Sequence, residues 1–551
     1  MKKVLKNVVS ILLASALVFT TNVATITSHA ANVVAEVKSI ADVPADLSGK
    51  TIILHSNDVH GAIGRYPYIA SVKQNFQGRG AEVILVDAGD YAQGTPYVAQ
   101  TKGLDAIMAM NAAGYDIATI GNHEFDYGIP QVKANLAVAK FKTVCANILD
   151  ANGNLFLTPN TMYTTKSGMK LGFFGVDTPE TQTKSNPALI KGLTFLTKND
   201  LYACGQQQID TLKTQGADFV VCLSHLGVDS EAEREGISSN VFYKKTKGID
   251  ILIDGHSHTI MSAEDRKDPV TSTGTKLQSL GVVVIDNATK TVEDSYLLNY
   301  DKLQPEVTTE AVTTAIIKRV DREYNSVFAK SEVNLNGEKA PGNRTEETNM
   351  GNLVSEAMLW SVLQHEGSVT VDKDHVIALT NGGGLRAPIK AGDVTKKDIN
   401  TVLPFGNTVA VVYVTGEQLL EALEASTFCT PEPVGGFPQT TGIKFTVNTA
   451  KSFAAGQAYP ASTYHKPASI NRVTIDSVNG QPFSKDDTYA VVTNNFVAAG
   501  GDTYYCFSSS GTTFDTGIPM DEAVMDYVKT QLHGVIGSEY SNPRGDVTII
   551  K

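Results

Sequence analysis

The sequence predicts an α/β protein of two domains, in which a layered α/β domain precedes a mixed α+β domain. Its 551 residues exceed the roughly 250–300 at which a single hydrophobic core stops growing. Apolar residues make up 42% of the chain and charged residues 19%, as in ordinary globular proteins. From residue 51 to 254, short apolar runs alternate with amphipathic stretches, which is typical of strands and helices in a layered α/β domain.

The N-terminal segment, residues 1–30, has the pattern of a secretory signal peptide. Lys2, Lys3 and Lys6 precede an apolar run over residues 8–19, and Ser28-His29-Ala30 offers small residues for cleavage near Ala30. The run is shorter than the ~20 residues that a membrane-spanning helix needs. We therefore expect export to the cell exterior or periplasm, with no stable membrane anchor.

Six apolar runs in the first domain predict strands that end in polar loops. They cover residues 51–54, 81–86, 115–120, 170–176, 219–223 and 249–253. The intervening amphipathic stretches predict helices over residues 103–113, 129–140 and 200–213. Residues 282–300 hold two β-rich runs around Asp286-Asn287-Ala288, which predicts a hairpin that closes the domain.

Composition changes after this hairpin, and we place the first domain at residues 48–302. Residues 303–343 are polar and contain a predicted helix over 308–328, so we interpret them as a linker. The second domain, residues 344–551, begins with a predicted helix over 350–363 and has a glycine-rich loop at 382–384.

Charge and cysteine content exclude some classes of protein. The formal net charge is −12 and the pI about 5.4, whereas binding a nucleic-acid polymer requires a basic surface. A small anionic substrate remains compatible with this negative net charge, because bound metal ions can reverse the local electrostatic field. The five cysteines show no C-x-x-C spacing, and an odd number leaves at least one unpaired within the chain. We do not expect a disulfide framework.

Polar residues follow the predicted strands of the first domain, where open α/β sheets bind ligands. Asp58 and His60 are two residues apart, as are His256 and His258, so each pair would face one side of an extended segment. Mixed nitrogen and oxygen ligands suit zinc, manganese or iron rather than calcium. There are enough for two divalent ions, with Asp90 able to bridge. The candidate ligands are Asp58, His60, Asp90, Asn122, His225, His256 and His258.

Other histidines lack such a context. His55, His365, His375 and His465 do not lie in this ordered series of polar strand ends. We predict that each is a surface residue or has its hydrogen bonds satisfied.

The order of these motifs resembles that of the calcineurin-like metallophosphatases. The forms at residues 55–61 (HSNDVHG) and 121–126 (GNHEFD) narrow the resemblance to the 5′-nucleotidase family, secreted bacterial type, over nearly the whole mature chain. The resemblance implies a four-layer α/β/β/α first domain joined by a linker helix to the second. Ser56 stands where threonine is more usual.

The same resemblance divides the ligands between two metals. One metal would be held by Asp58, His60, Asp90 and His258, and the other by Asp90, Asn122, His225 and His256. His123 would be the catalytic histidine. Asp126, three residues on, could orient its ring and favour its protonated form. The attacking group would be a hydroxide activated by the two metals, so that no serine or cysteine nucleophile is needed.

The second domain resembles the substrate-binding domain of that family. Phe405 and Phe496 would sandwich the base, and Asp502 would accept hydrogen bonds from the ribose hydroxyls. Glu346 stands where some relatives have another arginine, so phosphate contacts would be fewer. Arg344 and Arg386 are expected at the phosphate, and Asn381 and Asn407 at other polar atoms of the nucleoside.

The resemblance implies hydrolysis of nucleoside 5′-monophosphates, with nucleoside di- and triphosphates or nucleotide-sugars as further substrates, as in relatives. A 2′,3′-cyclic-nucleotide 2′-phosphodiesterase with 3′-nucleotidase activity is the alternative enzyme, although the form Asn57-Asp58-Val59-His60-Gly61 favours the first. A secreted nucleotide-binding protein without catalysis is the alternative from another class. Base preference and oligomeric state stay open.

Overall fold

The computed structural model describes residues 37–186, 189–262, 269–364, 369–460, 462–510 and 513–551. The predicted signal peptide and His365 lie outside these residues. Among the described residues, no helix combines the length and apolarity that crossing a bilayer requires.

Two sheets stack face to face in the first domain. The first has seven strands, in the spatial order Val37–Ser39, Thr291–Asn299, Leu280–Asp286, Lys50–Ser56, Glu82–Asp87, Ile117–Ala118 and Lys142–Thr143. The second has six, in the order Ile260–Met261, Val270–Thr273, Ile251–Asp254, Phe219–His225, Lys170–Asp177 and Asn160–Thr164. A short pair, Ile148–Leu149 and Thr194–Phe195, lies apart from both.

The hydrophobic core of this domain is divided into layers. Ile53, Ile84 and Val283 of the first sheet meet Phe173 and Val221 of the second in one buried cluster between the sheets. Helices cover the outer faces, since apolar residues of the first sheet and its helices form one cluster and those of the second sheet form another. The four-layer α/β/β/α order is thereby confirmed. The helices are Tyr66–Gly78, Pro96–Ala99, Leu104–Ala113, Ile129–Ala137, Thr181–Lys184, Lys198–Thr214, Ser230–Glu235 and Ser239–Lys245.

The helix expected in the linker forms at Val307–Tyr324 and packs on the first domain. The Glu306 carboxylate caps it by accepting from the backbone N–H groups of Thr308 and Thr309. Asp321 on this helix accepts a hydrogen bond from Tyr97 Oη of the first domain at 3.1 Å and pairs with Lys397 Nζ of the second at 3.0 Å. The helix therefore bridges both domains.

The second domain is a mixed α+β structure, as expected. Its central sheet has the strand order Pro438–Thr441, Val376–Asn381, Thr488–Asn494, Thr408–Thr415 and Thr513–Pro519. Smaller sheets are Gly392–Thr395 with Val327–Ser331 and Val535–Ile536, Val473–Val478 with Ile443–Asn448 and Val547–Ile550, and Ala454–Ala458 with His465–Ser469. The helices are Asn349–Leu363, Lys396–Val402, Gly416–Ser426, Asn495–Ala498, Tyr505–Ser508 and Met520–Thr530.

One difference from the expected domain limits concerns the linker. The strand Val327–Ser331 lies within residues 303–343 yet pairs with Gly392–Thr395 and with Val535–Ile536 of the second domain. Its sequence, VFAKS, is short and stands among polar residues, so its pattern alone does not show which sheet it joins.

Candidate metal centre and substrate cleft

The predicted metal ligands converge where strands of both sheets end. The side chains form three overlapping groups whose potential ligand atoms lie within 4.8 Å of one another. Asp90 belongs to two of these groups, as does His60, and the bridging role of Asp90 stays a prediction. The groups are Asp58 with His60 and His258, His60 with Asp90 and His123, and Asp90 with His225 and His256.

The backbone at these positions is not extended. Asp58, His60, Asp90, His256 and His258 all have positive φ values, between 46° and 74°. The expectation that each pair projects from an extended segment is therefore wrong, although all five side chains reach the centre. Left-handed conformations are costly for residues other than glycine and are typical of functional sites.

Glycine at position 121 is required by the crowding around the centre. A Cβ atom there would lie 2.5 Å from Asp90 Oδ1 and 2.5 Å from His225 Nε2. Any side chain would thus displace two of the predicted ligands.

His225 provides the sharpest test of whether a metal fits. Its Nδ1 faces the Ala88 carbonyl oxygen at 2.7 Å, so Nδ1 is the donor and Nε2 carries the lone pair. Nε2 is buried without a hydrogen bond from the described residues, although Asp90 Oδ2 lies 3.1 Å away. An imidazole lone pair beside a carboxylate oxygen fits a divalent cation between them.

The remaining donors agree with this fit. His60 Nε2 and His258 Nε2 lie 3.0 Å apart and both point toward the Asp58 carboxylate. His256 Nδ1 lies 2.9 Å from Asn122 Oδ1. Nitrogen and oxygen donors brought together in this way are the ligand set of a transition metal.

Burial shifts the pKa values of these groups in the absence of cations. Burial raises the pKa of Asp58 to about 7, against the attraction of His225, and lowers the pKa of His60 well below its usual range. Although burial opposes it, the pKa of His225 is raised by the Asp90 and Asp58 carboxylates. The site thus accumulates buried carboxylates that a cation would stabilise.

The predicted catalytic pair is assembled in the structure. His123 Nδ1 lies 2.7 Å from Asp126 Oδ2, and the His123 backbone N–H donates to Asp90 Oδ1 at 2.9 Å. Burial lowers the pKa of His123 to about 3 and raises the pKa of Asp126 well above its usual range. The shift of the His123 pKa is opposite to the expectation that His123 is protonated, because desolvation outweighs the attraction of the Asp90 carboxylate. The catalytic roles of His123 and Asp126 stay predictions.

Two acidic residues that the sequence reasoning did not assign support the centre. The buried Glu124 carboxylate accepts from the backbone N–H groups of Asp90, Tyr91, Ala92 and Gly121, which ties two ligand-bearing loops together. Glu180 Oε2 lies 2.7 Å from His256 Nε2 and so fixes that ring. Glu124 stands inside the GNHEFD motif, but Glu180 follows no motif that marks it.

A cavity of about 350 Å³ opens between the two domains beside this centre. Its first-domain wall includes most of the predicted ligands together with His123 and Asp126, while Asp58 and His225 lie deeper. All seven predicted substrate-binding residues lie on its second-domain wall: Arg344, Asn381, Arg386, Phe405, Asn407, Phe496 and Asp502.

The two predicted base-binding aromatics differ in their surroundings. The Phe405 ring stacks on His123, with centroids 5.5 Å apart, and the Arg386 guanidinium lies 5.5 Å from its centroid. Phe496 is buried and covers Gly501, where a Cβ atom would lie 2.4 Å from the ring. Both line the cleft, and their contact with a base stays a prediction.

Asp502 is held at the contact between the domains. Its carboxylate accepts from Asn381 Nδ2 at 2.8 Å, and its backbone N–H donates to the Thr183 carbonyl of the first domain at 2.7 Å. Lys184 Nζ lies 3.8 Å from Asp502 Oδ1 and donates to Tyr464 Oη at 2.5 Å. Lys184 was not singled out from the sequence, since an isolated lysine on a short helix gives no signal.

A double sheet between helices, with a histidine–carboxylate centre beside a second domain, defines a two-domain metal-dependent phosphoesterase. Family models agree: residues 51–259 match the calcineurin-like phosphoesterase model and residues 327–509 match the 5′-nucleotidase C-terminal domain. The chain belongs to the 5′-nucleotidase family of calcineurin-like metallophosphatases.

Similar proteins extend over most of the chain. The 5′-nucleotidase of Bos taurus is 27% identical over 538 residues, which cover 88% of this chain and 89% of that protein. The trifunctional nucleotide phosphoesterase protein YfkN of Bacillus subtilis is 30% identical over 86% of this chain, which spans only 33% of that protein. The crystal structure of a 5′-nucleotidase precursor from Thermus thermophilus superposes with a TM-score of 0.75 at 25% identity, covering 91% and 99% of the two chains.

Proposed function

We propose that this protein hydrolyses nucleoside 5′-monophosphates to nucleoside and phosphate after export from the cell. The supporting observation is the shared cavity, in which the metal-ligand groups of one domain face Phe405, Phe496 and Asp502 of the other. A nucleotide fits such a cavity, because its phosphate requires a metal-binding surface and its base requires an aromatic one.

The residues of the first domain hold the phosphate end. Two divalent ions bound there, zinc, manganese or a similar metal, would polarise the phosphoryl oxygens and lower the pKa of water. His123, with Nδ1 engaged by Asp126, would face a phosphoryl oxygen through Nε2 and would donate a hydrogen bond there in its protonated form, which the negative charge of a bound phosphate favours. Arg386, half-buried between Phe405 and the centre, would neutralise phosphate charge.

The residues of the second domain hold the nucleoside end. Aromatic rings stack on any base, so Phe405 and Phe496 would give affinity with little base selectivity. Asp502, with lone pairs left beyond its bond to Asn381, would accept from the ribose hydroxyls.

Release of inorganic phosphate tests the proposal. Purified protein loaded with zinc or manganese should release phosphate from AMP and other nucleoside 5′-monophosphates. The panel should include 2′,3′-cyclic AMP and 3′-AMP. Faster hydrolysis of these two than of AMP would replace the proposal with the cyclic-nucleotide activity, and AMP binding without phosphate release would indicate a non-catalytic protein.

A further inference from the structure

Lys184, the last residue of the helix Thr181–Lys184, lies beside the residue expected at the ribose. Its Nζ is 3.8 Å from Asp502 Oδ1 of the second domain, and both residues line the cleft. A direct hydrogen bond between a nitrogen and an oxygen needs a distance of about 2.7–3.2 Å. The two groups are therefore too far apart to bond each other, yet close enough for one hydroxyl oxygen to reach both.

The position of the Lys184 ammonium is fixed by neighbours in both domains. Its Nζ donates to Tyr464 Oη at 2.5 Å and to Glu231 Oε2 at 3.3 Å. The chain that follows is held at the predicted metal centre, because Ser185 Oγ donates to the backbone carbonyl of Asn122 at 2.6 Å. Since an ammonium group has three N–H donors, one is left for the cleft after these two bonds.

The Lys184 ammonium keeps its charge although its side chain is only 15% exposed. Burial opposes ionisation, but the carboxylates of Glu231, Glu180 and Asp502 outweigh it and raise the pKa of Lys184. A charged donor makes a stronger hydrogen bond than a neutral one. Lys184 is thus a strong donor toward a polar group of a bound ligand.

The Asp502 carboxylate presents one oxygen to the same point. Oδ2 accepts from Asn381 Nδ2 at 2.8 Å, so Oδ1 is the oxygen that faces Lys184. Gly435 leaves this oxygen uncovered, since a Cβ atom there would lie 2.9 Å from Oδ1. A ribose hydroxyl both donates and accepts, so it can donate to Asp502 Oδ1 while it accepts from Lys184 Nζ.

We propose that Lys184 and Asp502, from opposite domains, bind one ribose hydroxyl between them, so that Lys184 makes the site selective for ribonucleotides over deoxyribonucleotides. A deoxynucleotide would leave the ammonium and the carboxylate each short of a partner, and a site of this kind rejects the analogue that lacks the hydroxyl. The inference rests on the proposed nucleotidase function and specifies the sugar of its substrates.

The test compares AMP with 2′-deoxy-AMP and 3′-deoxy-AMP. Metal-loaded wild type should favour AMP over at least one analogue by about tenfold or more in kcat/KM, and Lys184→Met should reduce that preference about tenfold, as loss of a hydrogen bond from a charged donor does. Lys184→Arg, which keeps a charged donor, should retain part of it. The analogue whose discrimination falls identifies the hydroxyl. Equal kcat/KM of wild type on all three substrates overturns the proposal.

Further variants separate this contact from a structural role of Lys184. Because Lys184→Met leaves the Glu231 carboxylate without its cation, the double variant Lys184→Met/Glu231→Gln is measured as well. Tyr464→Phe removes the hydrogen bond between the domains but keeps the ammonium, so it should change kcat/KM on all three substrates by the same factor. Equal losses on all three in Lys184→Met and in the double variant would mean that Lys184 only joins the domains, which overturns the proposal. Lys198→Met, at an exposed lysine of the first domain outside the cleft, is the matched control.

Binding of the nucleoside product separates this inference from the nucleotidase function. Calorimetry on metal-loaded protein should show adenosine binding more tightly than the deoxyadenosine that lacks the contacted hydroxyl, with the difference reduced about tenfold in Lys184→Met. This result can be obtained even if no nucleotide is hydrolysed. If AMP is hydrolysed but adenosine binds no more tightly than 2′-deoxyadenosine and 3′-deoxyadenosine, the nucleotidase function stands and the ribose contact of Lys184 is excluded.

Discussion

At the scale of single residues, His123 lies between the predicted metal centre and the part of the cleft that would hold the substrate. Its Nδ1 is engaged by Asp126 at 2.7 Å, and its ring stacks on Phe405. His123→Ala should lower kcat on AMP by roughly 10²–10³-fold, the usual loss of one preorganised donor. Metal content, measured by elemental analysis, should stay at the wild-type level.

Asp126→Asn is the partner variant for this measurement. Because Asp126 acts by orienting the ring, its substitution should cost less than the loss of His123 itself. A larger loss for Asp126→Asn than for His123→Ala would show that Asp126 contacts the substrate directly.

His55 gives a prediction about pH and stability. Contrary to the sequence-based expectation, it is fully buried and its Nδ1 has no hydrogen-bond partner in the described structure. Burial lowers the pKa of His55 from 6.5 to about 3. Between these values the unfolded chain binds more protons than the folded chain, so stability falls as pH decreases below 6.5.

Replacing His55 should therefore flatten the acid side of the stability profile. At pH 5, about 2 kcal/mol of the loss relative to neutral pH belongs to this one residue. The difference in free energy of unfolding between His55→Leu and wild type, from urea unfolding, should change by that amount from pH 7.5 to pH 5. His465→Leu, at a partly exposed position, is the matched histidine-to-leucine control.

At the scale of elements, the loop that carries Phe405 and the short helix Asn495–Ala498 that carries Phe496 face the cleft together. Phe405→Ala and Phe496→Ala should each raise KM for AMP, with a loss of ~1–3 kcal/mol in kcat/KM from lost stacking. A small aryl phosphate, which lacks a base, should be affected much less. Equal losses on both substrates would mean that the two rings have a structural role.

Strand ends were the most predictable elements of the site. The runs around residues 51–54, 81–86 and 219–223 are apolar on both faces, so their position in the two inner layers of the domain follows from burial alone. The polar residues after them then meet at one edge. Glu180 and Lys184 could not be found this way, because their partners come from distant segments that only the folded chain brings together.

At the scale of the whole molecule, removal of metal should affect both activity and stability. Strong chelator should abolish phosphate release, and a divalent transition metal should restore it. The melting temperature should also fall, because buried carboxylates such as Asp58 and Asp90 lose the cation that compensates them. Full activity in thoroughly metal-free protein would contradict the proposed chemistry.

Asp90→Ala extends this prediction, since Asp90 takes part in two of the three ligand groups. It should lower the content of both ions and reduce activity more than His258→Ala, whose side chain lies in one group only. Retention of two ions and of the wild-type rate would exclude a bridging role.

The hydrogen bond from the Asp502 backbone N–H to the Thr183 carbonyl has a consequence for the rate of turnover. Asp502 is 3% exposed and Phe496 8% exposed, so the residues expected at the ribose and base are covered while the domains touch. We expect a nucleoside product to leave after this contact and the Lys184–Tyr464 bond have opened, and separating two domains means moving them through solvent. Solvent friction should therefore limit kcat if release of the nucleoside is slower than the chemical step. Adding sucrose should lower kcat in proportion to solvent viscosity, whereas the chemically slow His123→Ala variant should be insensitive to it.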